Sequence, residues 1–492
     1  MLTPDRIRTL IEADKASPRK KQAEVGERYY NAEHDILGHR IFFINAQEQL
    51  QEDLTKSNIR KVHPFFMENV DQTVQYLMSS EEGIIRSDDA NLQEELDARL
   101  NNNEEYQLHI REVLTDTCAK GFAYAYCYKG EDGQSIFDCA DSLGVVEVRE
   151  HETDDGCEYI IRWYVDRVDA EGRSIKRIEV FDEHNVCFFC QIDDGEITLD
   201  ESVKINPRPH AIFKRGNAES EKRYHNGGYG FIPFKRFDNN RMQTSDLKPI
   251  KGLIDNYDLM SCGLSNNIED TNEALYVVSG FEGDNLDELM VNIKAKKHVG
   301  VGEGGNVDIK TIDIPVEARK TMMEIDEQNI YRFGMALNMH GLKDTAATTN
   351  IAIKSAYSLL DMKANKLKTR LKMFLRWEIG IVLDEINHER GTAYTQKDVY
   401  FVFDPVIPTN AEENARIKLT ESQTRQTEIN TVLSLREFID DETVLQLICE
   451  QLDIDYNDIK DKLPAEMPVT DPAAAQNILN NLPTEEVIAD AE

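Results

Sequence analysis

Apolar positions along the chain change period in blocks, and each change of period predicts a change of secondary structure. Over residues 1 to about 120 the spacing is helical. Val62, Phe65, Phe66, Val70, Val74 and Leu77 fall on one stripe and predict a helix with a buried face, ending near Ser79 and Ser80. From about 122 to 237 the chain shifts to short β-branched and aromatic runs, such as 159–165 and 186–190. Gly-containing turns at 130–133, 154–156, 171–172 and 193–195 separate these runs, so this stretch predicts an antiparallel sheet.

Helical spacing returns over 245–272, with Leu247, Ile250, Ile254, Tyr257, Leu264 and Ile268 on one stripe. Pro249 is tolerated only in a first turn, so the regular helix is predicted to begin near Asp246 or Leu247. A β-rich insert follows. It contains a strand at 275–278, a short helix at 285–294 with Asn285 and Glu288 at capping-box spacing, and a hairpin of 298–301 with 307–312. Pro315 opens a second helix, predicted over 316 to about 337 with Met322, Ile325, Asn329 and Phe333 on one face. Two helices of roughly 33 to 42 Å at 1.5 Å per residue thus flank one insert, which predicts an antiparallel pair carrying it at the tip. Residues 338–350 are small and polar without a period and read as a loop. A long helix is predicted over 351–388, nearly apolar all round toward its end and so deeply packed. A strand at 398–403, a linker at 405–408, acidic helices from Asn410 and a Pro, Ala, Asn and Glu-rich tail from Pro464 complete the chain.

The 492-residue length exceeds what one hydrophobic core serves, so two to four folding units are expected. Hydrophobic residues at 40% and charged residues at 30% place the chain among soluble globular proteins. It contains no run of about 18 apolar residues, and its first residues lack the plan of a signal peptide, so it is expected to be cytosolic where it is made, without a membrane partner. The eight cysteines then read as reduced thiols. A net charge of −35 argues against gripping nucleic acid by neutralising phosphates. An acidic surface repels phosphate over about 8 Å at physiological salt, which is compatible with a strand that slides and equally serves solubility alone.

The candidate chemical motifs are weak. The glycines at 300, 302 and 305 have dinucleotide-fingerprint spacing, but a strand-like run follows where a helix is required, so they read as a hairpin turn. Cys187 and Cys190 have zinc-knuckle spacing with His184 nearby, yet no second ligand pair follows, and they read as part of a buried strand. No phosphate-cradling loop, His-Glu-x-x-His motif or nucleophile elbow occurs. Among 91 acidic residues no catalytic carboxylate pair stands out, and neither a cofactor nor a resident metal is predicted.

The run Gly230-Phe231-Ile232-Pro233-Phe234-Lys235, then Ser245-Asp246-Leu247-Lys248 and Leu253-Ile254-Asp255-Asn256-Tyr257-Asp258, resembles portal proteins of siphophages infecting Gram-positive bacteria. Further pieces agree in the same order: Arg28-Tyr29-Tyr30, the run from Asn69 to Leu77, Tyr276-Val277-Val278, and Leu359-Leu360-Asp361-Met362-Lys363-Ala364-Asn365. The resemblance covers roughly residues 25 to 405.

The resemblance implies an α+β portal fold: a mixed wing over 1–240, stem helix 1 over 241–272, a small β-rich clip over 273–314, stem helix 2 over 315–337, a tunnel loop over 338–350, a long wing helix and strand over 351–408, a helical crown over 409–463 and an acidic tail over 464–492. It also implies a ring of twelve copies at one capsid vertex, assembled in the host cytoplasm and carried in the virion. Double-stranded viral DNA would pass non-specifically during packaging, retention and ejection. In that plan Lys343, Thr345, Thr348, Thr349 and Asn350 face DNA, and Glu282, Asp284, Lys294, Lys296 and Lys297 lie in the clip that meets the terminase large subunit and then the head-to-tail adaptor. Major capsid and scaffolding proteins are the remaining expected partners. On residues alone, Lys343 reads as a solvated loop lysine. Two alternatives stay open there: another phage structural protein, and a DNA-processing enzyme, which needs clustered metal-binding carboxylates.

Overall fold

The computed structural model describes the chain apart from residues 1, 45–46, 55, 81–82, 131–132, 152–155, 211–213, 216–222, 225–228, 272–274, 280–305, 311–314, 339–349, 406–410, 435–440 and 453–492. The chain divides into two units, Met1–Pro408 and Thr409–Glu492.

The first unit begins with helices α1 (Pro4–Ala16) and α2 (Pro18–Tyr30), each with Pro in its first turn, where a missing N–H costs nothing. Ser17 ends one and caps the other by accepting from the Lys20 N–H at 3.2 Å. A small antiparallel ribbon, β1 (Phe42–Ile44) with β2 (Leu50–Glu52), then interrupts the stretch predicted as helical throughout. Helix α3 (Phe65–Leu77) starts after Pro64, so Val62 stands outside it, contrary to the predicted stripe. Its buried face is Phe66, Asn69, Val70, Thr73, Val74, Tyr76 and Leu77. Strand β3 (Ile85–Arg86), helix α4 (Ala90–Leu96) capped by Asp89, and helix α5 (Glu104–Lys120) capped by Asn103 follow. Gly121, at φ 95°, ends α5 in the left-handed region that glycine adopts freely.

Every described strand pairing is antiparallel, as the alternating runs predict. Strands β4 (Phe122–Lys129) and β5 (Ser135–Ala140) form a sheet with β14 (Phe234–Asp238) in the order β14-β4-β5. The larger sheet has the order β10-β9-β8-β7-β6, from β6 (Val145–Val148), β7 (Tyr159–Val168), β8 (Ser174–Phe181), β9 (Asn185–Ile192) and β10 (Ile197–Leu199), with β11 (Arg208–Pro209) beside β9. Cys187 and Cys190 both lie in β9, where the motif was read as strand. Two short strands, β12 (Lys214–Arg215) and β13 (Arg223–Tyr224), pair with each other. Helix α1 lays Ile7 and Ile11 on the larger sheet against Val146, Ile161, Ile178 and Phe189.

Helix α6 spans Lys251–Thr271, starting several residues later than predicted. The reason is local: the Ser245 hydroxyl accepts from the Leu247 N–H, Pro249 has no N–H to give, and 246–250 close as successive turns before the first regular residue. The predicted stripe holds at its start, where Leu247, Ile250 and Ile254 are buried, and fails at Ile268, which is exposed. Strand β15 (Leu275–Ser279) pairs with β16 (Asn306–Lys310), so the strand predicted at 307–312 has 275–279 as its described neighbour; 298–301 and the helix predicted at 285–294 lie outside the described residues.

Helix α7 (Val316–Gly334) stops short of Leu337 because Met335 turns left-handed at φ 55°. Its predicted apolar face is not buried within the chain; Asp326, Ile330, Tyr331 and Gly334 form the buried side instead. The long helix α8 (Asn350–Arg390) packs into the main core through Leu360, Leu367, Leu371, Phe374, Leu375, Ile379 and Ile386, as its apolar girth predicts. Only Tyr400–Phe401 of the last predicted strand pairs, as β17 on β3. In the second unit, α9 (Ala411–Ser434) and α10 (Asp441–Leu452) pack on each other. All eight cysteines are free thiols.

Candidate functional site

Helix α6 is tied to the body by polar groups that leave it little freedom to slide. Asp258 on α6 is fully buried, with His34 Nδ1 2.6 Å from one carboxylate oxygen and His63 Nδ1 2.7 Å from the other. Burial alone pushes a carboxyl up, but the hydrogen bonds from His34 and His63 outweigh it and hold Asp258 below the ordinary carboxylate value. An ionised carboxylate only accepts, so both rings carry their proton on Nδ1. Tyr29 stacks on His34 with centroids 4.4 Å apart and donates its hydroxyl to Asp255. Lys251 bridges Asp35 at 2.6 Å and Asp255 at 2.8 Å.

Farther along α6 the extended stretch 57–63 runs beside the helix. The Lys61 N–H donates to the Cys262 sulfur at 3.1 Å, the Ile59 N–H to Asn266 at 2.6 Å and the Ser57 N–H to Asp270 at 3.0 Å. Across the pair, Asn256 donates to Asp326 of α7 at 2.5 Å.

His63 Nε2 also lies 3.4 Å from the Ser261 hydroxyl, so Asp258, His63 and Ser261 stand in an acid, base and hydroxyl order. Ser261 sits within α6, whose neighbouring N–H groups are spent on the helix ladder, so nothing adjacent supplies the donors that an oxyanion requires. Asp258 is moreover shared with a second histidine. The arrangement fixes a helix.

A second framework surrounds the two flanks of 338–350, and α3 supplies most of it. Glu68 accepts from the Tyr331 hydroxyl near the end of α7 at 2.6 Å. The Gln72 amide clamps Leu337 twice, accepting from its N–H at 2.8 Å and donating to its carbonyl at 3.1 Å. One turn on, the Tyr76 hydroxyl donates to Asp361 of α8 at 3.2 Å. Buried Asn69 packs so close to Gly334 that a Cβ there would meet its amide nitrogen at 2.4 Å. One helix thereby holds the chain on both sides of residues 339–349.

Of the residues picked out by resemblance, Lys343, Thr345, Thr348 and Thr349 lie outside the described residues, and Asn350 is described only as the first residue of α8. Glu282, Asp284, Lys294, Lys296 and Lys297 also lie outside them. What the sequence reading missed is the polar framework: Gln72, Tyr76, His34, His63 and Asp258 are 195 to 285 positions from their partners, and no local spacing marks them. Gln72, Tyr76 and Asp258 carried one signal, membership of the quoted runs 69–77 and 253–258; His34 and His63 carried none. Among the described residues no group of three or more His, Cys, Asp or Glu is placed to hold a metal ion, and no helix is long and apolar enough to cross a membrane.

Comparison with known proteins adds to this geometry. Residues 12–455 match the family described as "Phage portal protein, SPP1 Gp6-like". The portal protein of Bacillus phage SPP1 is 28% identical over 371 residues, covering 75% of this chain and 70% of its own. The portal protein of Clostridium phage phiCD119 is 23% identical over 379 residues, covering 75% of this chain and 79% of its own. Among solved structures, a chain in the neck of the native GTA particle, computed with C12 symmetry, aligns at a TM-score of 0.40 and 11% identity, over 78% of this chain and 89% of that one. With the family match spanning most of its length, the chain belongs to the SPP1 Gp6-like family of phage portal proteins.

Proposed function

We propose that the chain closes into a ring, twelvefold in the particle, at one capsid vertex, and that double-stranded viral DNA passes through its centre during packaging, retention and ejection. The observation that supports this reading best is the grip of α3 on both flanks of 338–350, through Gln72 on Leu337 and Tyr76 on Asp361. A loop that meets a moving polymer needs a fixed base, while its own contacts stay weak and sequence-blind. In this reading Lys343 from every copy makes a ring of positive charge near the phosphates, and Thr345, Thr348, Thr349 and Asn350 add weak hydrogen bonds. The acidic balance of the rest of the chain, −35 overall, opposes static binding.

The segment 273–314, with Glu282, Asp284, Lys294, Lys296 and Lys297, then forms the clip that docks first the terminase large subunit and later the head-to-tail adaptor. Major capsid and scaffolding proteins meet the outside of the ring during assembly in the host cytoplasm. Energy for packaging comes from the terminase, and the chain catalyses no reaction of its own. A defined packaging reaction tests this. Capsids assembled with the chain protect viral DNA from nuclease in an ATP-dependent way, and capsids assembled without it protect none; equal protection without the chain overturns the reading. In the same assay Lys343→Ala lowers the protected or retained DNA, and an unchanged yield removes the charge ring alone.

A further inference from the structure

Strands β1 and β2 form a ribbon with apolar side chains on both sides. Ile44 pairs with Leu50, and because side chains alternate along a strand, Phe42, Ile44 and Leu50 share one face while Phe43 takes the other. Phe42 is 50% exposed, Phe43 42%, Ile44 71%, Leu50 70% and Leu54 86%. A two-stranded ribbon is marginal in water without a surface to pack on, and apolar side chains exposed together on one of its faces, as Phe42, Ile44 and Leu50 are, mark a contact site.

The base of the ribbon is firmly placed. The Asn58 amide donates to the His39 carbonyl at 3.1 Å and Arg60 to the Leu37 carbonyl at 2.6 Å, which ties its two ends together. The bonds from Ser57 to Asp270 and Ile59 to Asn266 seat those ends on the far half of α6. The helix pair has uncovered apolar residues of its own, Leu259 and Ile268 on α6 and Val316, Met322 and Ile325 on α7. Both patches stay exposed in the single chain, so neither covers the other there.

A closed ring joins copies head to tail, through two different patches on each copy. Two apolar patches that do not meet within one copy are what such a contact uses. Covering Phe42, Ile44 and Leu50 on their shared face removes roughly 350 Å² from water, a little under half of the roughly 800 Å² per partner of a standard interface.

We infer that the β1–β2 ribbon of one copy packs on the exposed side of the α6–α7 helix pair of the next copy. This inference rests on the ring reading above. The partner is therefore a second copy of this chain, and the ribbon acts as a clasp between neighbours.

Site-specific crosslinking in the full-length purified chain tests it. An Ile44→p-benzoylphenylalanine variant is illuminated after assembly, with a tagged and an untagged form mixed so that contacts between copies are identified by size. Rings that yield a ladder of covalent multimers, with the crosslinked peptide falling in 251–334 of the other copy, are the expected result. Rings in which position 44 reacts only within its own copy, or not at all, overturn the clasp and leave the ring reading standing. Failure to form rings with the unmodified chain overturns both. A double variant, Ile44→Ser with Leu50→Ser, keeps the secondary structure because both side chains are exposed, and raises the protein concentration needed for half assembly by about tenfold or more. An unchanged concentration counts against the clasp.

Discussion

The Lys363 ammonium stands 2.9 Å from the Asp246 carboxylate and donates to the Gly334 carbonyl at 3.4 Å, so one buried cation joins the long helix α8, the approach to α6 and the end of α7. Burial lowers the affinity of such a group for its proton, and Asp246 more than offsets this, so Lys363 sits above the ordinary lysine value. Removing the cation leaves Asp246 mostly buried without its counter-charge. Lys363→Met is expected to destabilise the first unit by about 3 kcal/mol, and adding Asp246→Asn recovers part of that loss. Urea unfolding of the two variants measures both changes; an unchanged midpoint for the single variant contradicts this role.

Asp258 gives the root of α6 a dependence on acid. Its folded carboxyl is held below the ordinary value of 3.8, so the stability it contributes is complete above that value and is lost as the pH falls through the folded one. Unfolding midpoints between pH 6 and pH 3 are expected to fall more steeply for the natural chain than for Asp258→Asn, which starts lower and stays flatter. Parallel curves for the two proteins count against the buried carboxylate as the cause.

Gly26 sets the approach of α2 to α5. A Cβ at this position would lie 2.0 Å from the Ala119 carbonyl oxygen, a backbone atom that cannot swing away. Alanine is the better helix former by about 1 kcal/mol. The forced separation of the helices costs more, about 2 to 3 kcal/mol. Gly26→Ala is therefore expected to lower stability despite its propensity, and a rise in thermal midpoint would show that the helices part easily.

Ile254 and Ile325 separate folding from assembly. Both fall on apolar stripes predicted for the two stem helices, but Ile254 is fully buried in its own chain while Ile325 is 46% exposed. Ile254→Asp places an unpaired charge in the core and is expected to abolish the folded chain. Ile325→Asp is expected to leave the monomer's circular dichroism and thermal midpoint near those of the natural chain and to weaken association. Intact association of Ile325→Asp would exclude this face from the contact between copies.

The elements that declare themselves in the sequence are those whose residues meet neighbours a few positions away. The stripe of Val70, Val74 and Leu77, the apolar girth of α8 and the alternating runs of β7 to β9 each follow from periodicity, and the structure places all of them. Boundaries shifted where one residue's backbone chemistry overrode the period, as Pro64 did at α3, Pro249 before α6 and Met335 after α7. The ribbon of Phe42 to Ile44 with Leu50 to Glu52 was missed because three-residue strands are too short for a period.

The polar framework was less legible for a different reason. Gln72 reaches Leu337 across 265 positions and Tyr76 reaches Asp361 across 285, so their roles exist only once the chain has folded. Lys343 and the lysines at 294, 296 and 297 were assigned through family likeness, and the packaging reaction with Lys343→Ala tests the first of them.

The central claim, that copies of this chain close into a ring around a hole, is tested most directly by counting copies in the purified assembly, using light scattering for mass and negative-stain electron microscopy for shape. The account predicts closed rings of about twelve or thirteen copies around a central hole. A stable monomer under every assembly condition, or an open filament, would contradict it.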